Sequence, residues 1–220
     1  MKQTVEKKIY NDFDAIIDAV SSASGAKKEW LGYKKPFLTI ITRCYKRPAG
    51  ISKNLSSIKS LIDKDIEQIF IHDNVGVGMF EANKSFSDPA VLDEIEGGYV
   101  FLLDDDDFIV NPNMVQLLKS VSFSEDSPEI IFFRMNIIGG PNGDLYPTPS
   151  TWGIAPKVAH IGGSCFVVRT DVYKKFIHNF AHTRMGDFAF IDAIWKTNPK
   201  VYWLDQVMSE TGRIGRGRAE

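Results

Sequence analysis

The sequence predicts a single α/β domain built on a mostly parallel central sheet flanked by helices. Two observations carry the class. Apolar runs at residues 37–42, 66–71, 99–103 and 130–133 alternate with stretches whose apolar residues recur at three- and four-residue steps, the strand, helix, strand pattern of a parallel sheet. With 220 residues and 44% hydrophobic content, the chain fills one substantial core and would be cramped as two domains. A third observation says where the chemistry belongs. The run Tyr99, Val100, Phe101, Leu102, Leu103 stops against four aspartates, Asp104 to Asp107. A strand buried on both faces that ends in carboxylates presents them at its C-terminal edge, where open parallel sheets bind ligands.

Composition narrows the partners. A net charge of -2 and a pI near 6.1 give no global basic field, so nucleic acid is not an expected partner. Cys44 and Cys165 sit in apolar runs without metal-ligand or disulfide-framework spacing and read as buried, reduced thiols. The N-terminus is charged and no stretch reaches the roughly 18 apolar residues of a membrane span. The expectation is a cytoplasmic protein with neither secretory signal nor membrane span.

In chain order, Val5, Ile9, Phe13, Ile16, Ile17 and Val20 predict an amphipathic helix, and residues 1–35 are assigned to that helix and a connector. Residues 37–42 are the first strand of the main unit, residues 36–208. It is followed by the cationic, aromatic turn Arg43, Tyr45, Lys46, Arg47 and a helix carrying Ile51, Leu55, Ile58 and Ile62. That turn suits a base or a phosphate, or is an ordinary solvated loop. The strand at 66–71 ends at His72 and Asp73, and Gly76 and Gly78 follow, which let backbone approach a ligand. A dinucleotide fingerprint is excluded because Glu81 stands where its third glycine belongs. Asp88 with Pro89, and Asn111 with Pro112, are helix-start signals on either side of the acidic strand.

Beyond the strand at 130–133, residues 139–156 read as a loop carrying Trp152, suited to stacking on a sugar or to packing. Residues 165–168 form a strand after Gly162, Gly163 and Ser164. Asp171 starts a helix, and Asp187 stands at or near the N-terminus of another with Phe188, Ile191, Ile194 and Trp195. A last strand covers 201–204, and residues 209–220 form a basic Gly/Arg tail with Arg213, Arg216 and Arg218.

Neighbouring carboxylates about 6 Å apart repel by roughly 3 kcal/mol at an effective dielectric near 20, so four in a row call for full solvation or a cation. A hard, oxygen-seeking ion such as Mn²⁺ or Mg²⁺ fits. An EF-hand is excluded, since its fifth, sixth and twelfth places counted from Asp104 hold Phe108, Ile109 and Val115.

Taken together, the strand and turn 38–48, the Asp73 strand end, the stretch from Gly98 through the aspartates to Pro112, Gly162-Gly163-Ser164 and Gly186-Asp187 resemble the family-2 glycosyltransferases of the GT-A fold. The resemblance covers residues 36–208. It implies that Thr42, Arg43 and Asp73 help hold the donor nucleotide, with Asp104 or Asp105 at the ribose. It further implies that Asp106, with Asp104, ligates Mn²⁺ or Mg²⁺ on the donor diphosphate. Four aspartates offer two Asp-x-Asp frames, and both stay open. Asp187 would be the general base, standing after Gly186 where the family often has glutamate. Arg213 and Arg216 would clamp the diphosphate, and Trp152, Gly163 and Ser164 would face the acceptor.

The implied activity is single, inverting transfer of a sugar from a UDP, GDP or dTDP donor to a carbohydrate or other hydroxyl acceptor. The Gln-x-x-Arg-Trp pattern of processive synthases is absent from the sequence. Two other readings remain: a non-catalytic GT-A-like nucleotide- or sugar-binding module, and a sugar nucleotidyltransferase.

Overall fold

A computed structural model describes residues 3–10, 35–74, 76–123, 127–137, 144–182 and 185–211. Its strands are β1 (Gln3–Tyr10), β2 (Leu38–Cys44), β3 (Ile66–Asp73), β4 (Tyr99–Leu102), β5 (Asp107–Ile109), β6 (Ile130–Ile137), β7 (Leu145–Tyr146), β8 (Phe166–Arg169) and β9 (Val201–Thr211). The helices are α1 (Pro48–Lys59), α2 (Met79–Lys84), α3 (Pro89–Leu92), α4 (Met114–Ser122), α5 (Thr170–Phe176) and α6 (Gly186–Trp195). The strands join in one sheet in the order β1-β3-β2-β4-β8-β6-β9-β5, with β7 on β6.

The α/β class is as expected, but the sheet is mixed. β2 runs parallel to β3 and β4, and β6 parallel to β9, while β1, β5, β7 and β8 pair antiparallel. The parallel block β3-β2-β4 holds the three strands whose C-terminal ends carry Asp73, the cationic turn and the aspartates. Alternation divides the core between the two faces. Leu38, Ile40, Tyr99, Phe101 and Leu103 pack with Ile58 of α1 and Met114, Val115 and Leu118 of α4. Ile41, Val100 and Leu102 pack with Phe190, Ile191 and Ile194 of α6 on the other.

The N-terminal expectation is corrected over residues 3–10, which form a strand and not the start of a helix. Gln3 pairs with Asp73 and Tyr10 with Ile66, so β1 supplies β3 with the hydrogen-bond partners its free edge lacks. Phe13, Ile16, Ile17 and Val20 lie outside the described residues. Lys7 anchors β1 from its middle. Its ammonium lies 2.8 Å from Glu67 Oε2 and donates to the Glu94 carbonyl at 2.8 Å. Glu67 is fully buried, and its Oε1 accepts from Thr39 Oγ1 at 2.5 Å and from the Glu96 and Gly97 N–H groups. Lys7→Met is expected to lower stability by about 2 kcal/mol or more in urea unfolding, because the charged partner of the buried Oε2 is lost while the three donors on Oε1 remain. An unchanged unfolding midpoint would show that this ion pair does not hold β1.

At the other end, β9 continues to Thr211, past the four residues expected, and β5 pairs with its final residues. Among the described residues no helix is long and apolar enough to cross a membrane.

Candidate active site

The acidic turn is gripped from one side by α1. Arg47 stands immediately before Pro48, and its guanidinium Nη1 lies 2.6 Å from Asp105 Oδ1 and 3.0 Å from Asp106 Oδ1. Asp105 Oδ2 accepts from the Tyr45 N–H at 2.9 Å, so both its oxygens are engaged. Burial works against the Arg47 charge, but Asp105 and Asp106 outweigh it and hold its pKa above the ordinary arginine value. Helix and turn touch at Gly50, where an added Cβ would lie 2.6 Å from the Asp105 carbonyl oxygen, leaving room for glycine only.

Asp107 also faces the protein. Its Oδ2 lies 2.6 Å from Ser164 Oγ, which is 3.1 Å from the Leu102 carbonyl. A single hydroxyl proton cannot serve both acceptors. Burial pushes Asp107 well above the usual carboxylate range, with Asp104 and Asp106 adding to the rise. Ser164 Oγ donates to Asp107 Oδ2, the shorter of its two contacts, and so ties that side chain to the protein. With Asp105 and Asp107 committed to the fold, Asp104 is the most accessible of the four, and Asp106 is buried beside it in an ion pair with Arg47. Asp104 is half exposed, with Arg43 Nη2 3.6 Å from its Oδ1. Burial and the neighbouring Asp104 charge push Asp106 up to about 6 despite Arg47. Energy is gained when something positive arrives there.

The other expected donor contacts are placed unevenly. Arg43 comes to the turn, donating to Asn83 Oδ1 at 2.7 Å and lying over the Phe86 ring. Thr42 does not: it is fully buried and its Oγ1 accepts from Gln68 Nε2 at 2.8 Å. Asp73 caps its own loop, accepting from the Gly76 and Val77 N–H groups at 2.7 and 2.9 Å. Arg213 and Arg216, like Arg218, lie outside the described residues.

Asp187 lies in the first turn of α6, and its Oδ1 accepts from the Phe188 N–H at 2.8 Å. Burial pushes its carboxyl up to about 6; the Phe188 N–H opposes this, and the charge on Asp104 adds to it. The acidic turn and the start of α6 are therefore in electrostatic reach of each other. Gly186 is required by packing, since an added Cβ would meet the Phe180 carbonyl oxygen at 2.5 Å. A glutamate has no space beside Asp187.

The expected acceptor residues divide. Gly163 borders open space. Ser164 is buried, holding Asp107 and receiving a hydrogen bond on its carbonyl from Ser209 Oγ. Trp152 is packed edge-on to Trp203, with the Arg134 guanidinium 3.6 Å from its ring centroid. Ser164 is thus engaged with the acidic turn, and Trp152 takes the packing role that was the alternative to stacking on a sugar. The thiols are buried as expected, and burial pushes Cys44 up to about 12.

The donor set suits a hard cation, with a limit. Among the described residues no group of three or more carboxylate, histidine or cysteine side chains is placed to hold a metal ion. Of the four aspartates, Asp104 and Asp106 are the two not held by Tyr45 or Ser164, so most ligands of any cation there would have to come from a bound molecule and water. In the sequence Arg47 is one of four residues of the cationic, aromatic turn. The stronger signal is Pro48, which starts a helix and so puts residue 47 at its N-terminus, at the sheet edge.

No family model and no curated protein matches the sequence. Solved structures do match. Residues 1–349 of S. aureus TarS in complex with UDP superpose with a TM-score of 0.59 at 14% identity, over 80% of this chain and 60% of that one. The complex of the same fragment with UDP-GlcNAc gives 0.58 at 13% identity, over 83% and 60%. Longer TarS coordinates give 0.55 over 80% of this chain and 36% of theirs. This chain thus spans about 60% of the length of the TarS fragment, and the likeness is one of fold, the GT-A arrangement.

Proposed function

We propose that this chain is a glycosyltransferase that moves a sugar from a nucleoside-diphosphate sugar, with uridine the first base to test, to an acceptor hydroxyl. The observation that carries the reading is the division of labour in the acidic turn. Asp105 and Asp107 are tied into the protein, Asp104 is half exposed at the sheet edge within the electrostatic reach of Asp187, and Asp106 stands beside Asp104 in its ion pair with Arg47. The UDP and UDP-GlcNAc complexes of TarS, on the same fold, support the choice of donor.

In this reading Asp104 and Asp106 hold Mn²⁺ or Mg²⁺. The cation, when bound, offsets the charge that develops on the departing diphosphate. Arg43 sits beside Asp104 as a second positive group for that charge. Asp187 takes the proton of the acceptor hydroxyl as it attacks the anomeric carbon opposite the leaving group, which inverts the configuration. Arg213 and Arg216 are assigned to the diphosphate by their guanidinium chemistry.

The test is thermal unfolding with UDP, GDP and dTDP, each with and without Mn²⁺, on the wild-type protein and Asp106→Asn. At about 100 times Kd a ligand that binds only the folded state adds roughly 2.7 kcal/mol. A Mn²⁺-dependent stabilisation by one nucleotide is expected, and Asp106→Asn should lose it. No stabilisation by any nucleotide would bring the proposal down, and pyrophosphate release from a nucleoside triphosphate and a sugar phosphate would replace it with nucleotidyl transfer.

A further inference from the structure

The acidic turn has a second contact with α1, deeper than Arg47. Arg47, Gly50, Asn54 and Ser57 follow one another along α1 at steps of three, four and three residues, a single stripe that faces the turn. Asn54 is fully buried. Its Nδ2 donates both protons to the turn, one to the Asp104 carbonyl at 3.1 Å and one to the Asp107 carbonyl at 3.0 Å. These carbonyls belong to the first and last aspartates, and the Asp107 N–H closes the turn on the Asp104 carbonyl at 3.0 Å.

The other end of the amide is equally occupied. Asn54 Oδ1 accepts from Gln68 Nε2 at 3.0 Å, and the same nitrogen donates to Thr42 Oγ1 at 2.8 Å. One helical turn on, Ser57 Oγ accepts from the Ile109 N–H at 3.1 Å and so fixes β5 as it leaves the aspartates. Asparagine is a poor helix former, and a buried polar side chain is retained only when its groups are paired. Here every donor and acceptor of the amide is paired, two of the three partners through the turn itself.

We propose that Asn54 is a positioning residue, a rigid amide that fixes the span between the Asp104 and Asp107 carbonyls. It thereby decides which aspartate side chains face a ligand and which face the protein. Gln68 and Thr42 buttress it from β3 and β2, which gives Thr42 a role behind the turn in place of contact with a nucleotide base. The functional half of the proposal rests on the donor site proposed above; the structural half does not.

The test joins a ligand-free measurement to a ligand-bound one. Asn54→Leu keeps the bulk and removes both donors, and Thr42→Val trims only the far end of the network. Hydrogen exchange of the wild-type protein should show the Asp107 amide protected. Exchange there should accelerate by about tenfold or more in Asn54→Leu and less in Thr42→Val, with the Ile69 amide of β3 unchanged. The Mn²⁺-dependent affinity for UDP should weaken about tenfold in Asn54→Leu, the consequence of leaving the turn carbonyls without their donor.

Unchanged exchange at Asp107 in both variants would overturn the proposal. So would a loosened turn that binds UDP with wild-type affinity. If Asn54→Leu fails to fold, Thr42→Val carries the same comparison. Failure of the wild-type protein to bind any nucleotide would bring down the donor site and the functional half with it, while the exchange data decide the structural half by themselves.

Discussion

Replacing Asp187 by asparagine is expected to slow sugar transfer by about 10² to 10⁴-fold while nucleotide affinity stays at the wild-type level, the signature of a lost general base. The reason is local. Asp187 is held in the first turn of α6 by its bond from the Phe188 N–H, and Gly186 leaves no room for a second carboxylate beside it. The wild-type rate should also depend on pH in one direction. A base works only when deprotonated, and burial places this carboxyl at about 6, so activity should be full at neutral pH and fall as pH drops through about 6. Asp106 rises to a similar value and must also be ionised to hold a cation, so it steepens the same acid limb. Near-full transfer by Asp187→Asn with the true acceptor would remove Asp187 from the mechanism.

The largest effect on stability is expected from Arg47→Met. The guanidinium is surrounded by Asp105 and Asp106, with side-chain exposures of 10%, 4% and 8%, so its removal strands buried carboxylates. Breaking such a pair from one side costs about 3–5 kcal/mol, measured as the loss in urea unfolding at neutral pH. The double variant Arg47→Met with Asp105→Asn should recover part of the loss, because the stranded charge is then gone. A loss below about 1 kcal/mol, the range of exposed pairs, would mean that water reaches the turn more freely than the geometry indicates.

Proton linkage gives this region a defined pH dependence. Asp106 and Asp187 have folded pKa values raised from the ordinary carboxylate value to about 6. The folded state therefore binds more protons than the unfolded chain between roughly pH 4 and 6, and the contribution of both groups to stability declines as pH rises through that window.

How much of this was legible in the sequence differs residue by residue. The central strand and the location of the aspartates were, because five apolar residues ending in charge admit few other readings. The N-terminal strand was not. Val5, Lys7 and Ile9 share one face of β1, but the middle position is a lysine whose partner, Glu67, lies on another strand, so the alternation is broken by an interaction between distant residues. Which aspartate side chains the protein holds was also hidden, since that depends on Arg47 and Ser164, which approach the turn from opposite sides of the sequence. For Trp152 the sequence left stacking and packing open, because nothing near it in the chain announces Arg134 and Trp203 as its neighbours. Asn54 gave no signal at all: an asparagine inside a helix reads as a side chain turned to water until its two carbonyl partners are seen.

The pairing of β5 with β9 bears on the order in which the molecule assembles. Asp107 stands opposite Thr211, roughly a hundred residues later in the chain, and closing so long a loop is slow compared with forming neighbouring contacts. During synthesis the aspartates emerge long before the strand that flanks them, and until it docks they are a repelling cluster on an unfinished sheet. β9 is thus the last of the described strands to be synthesised, and a nascent chain can have most of its core in place before the acidic turn gains its flanking strand.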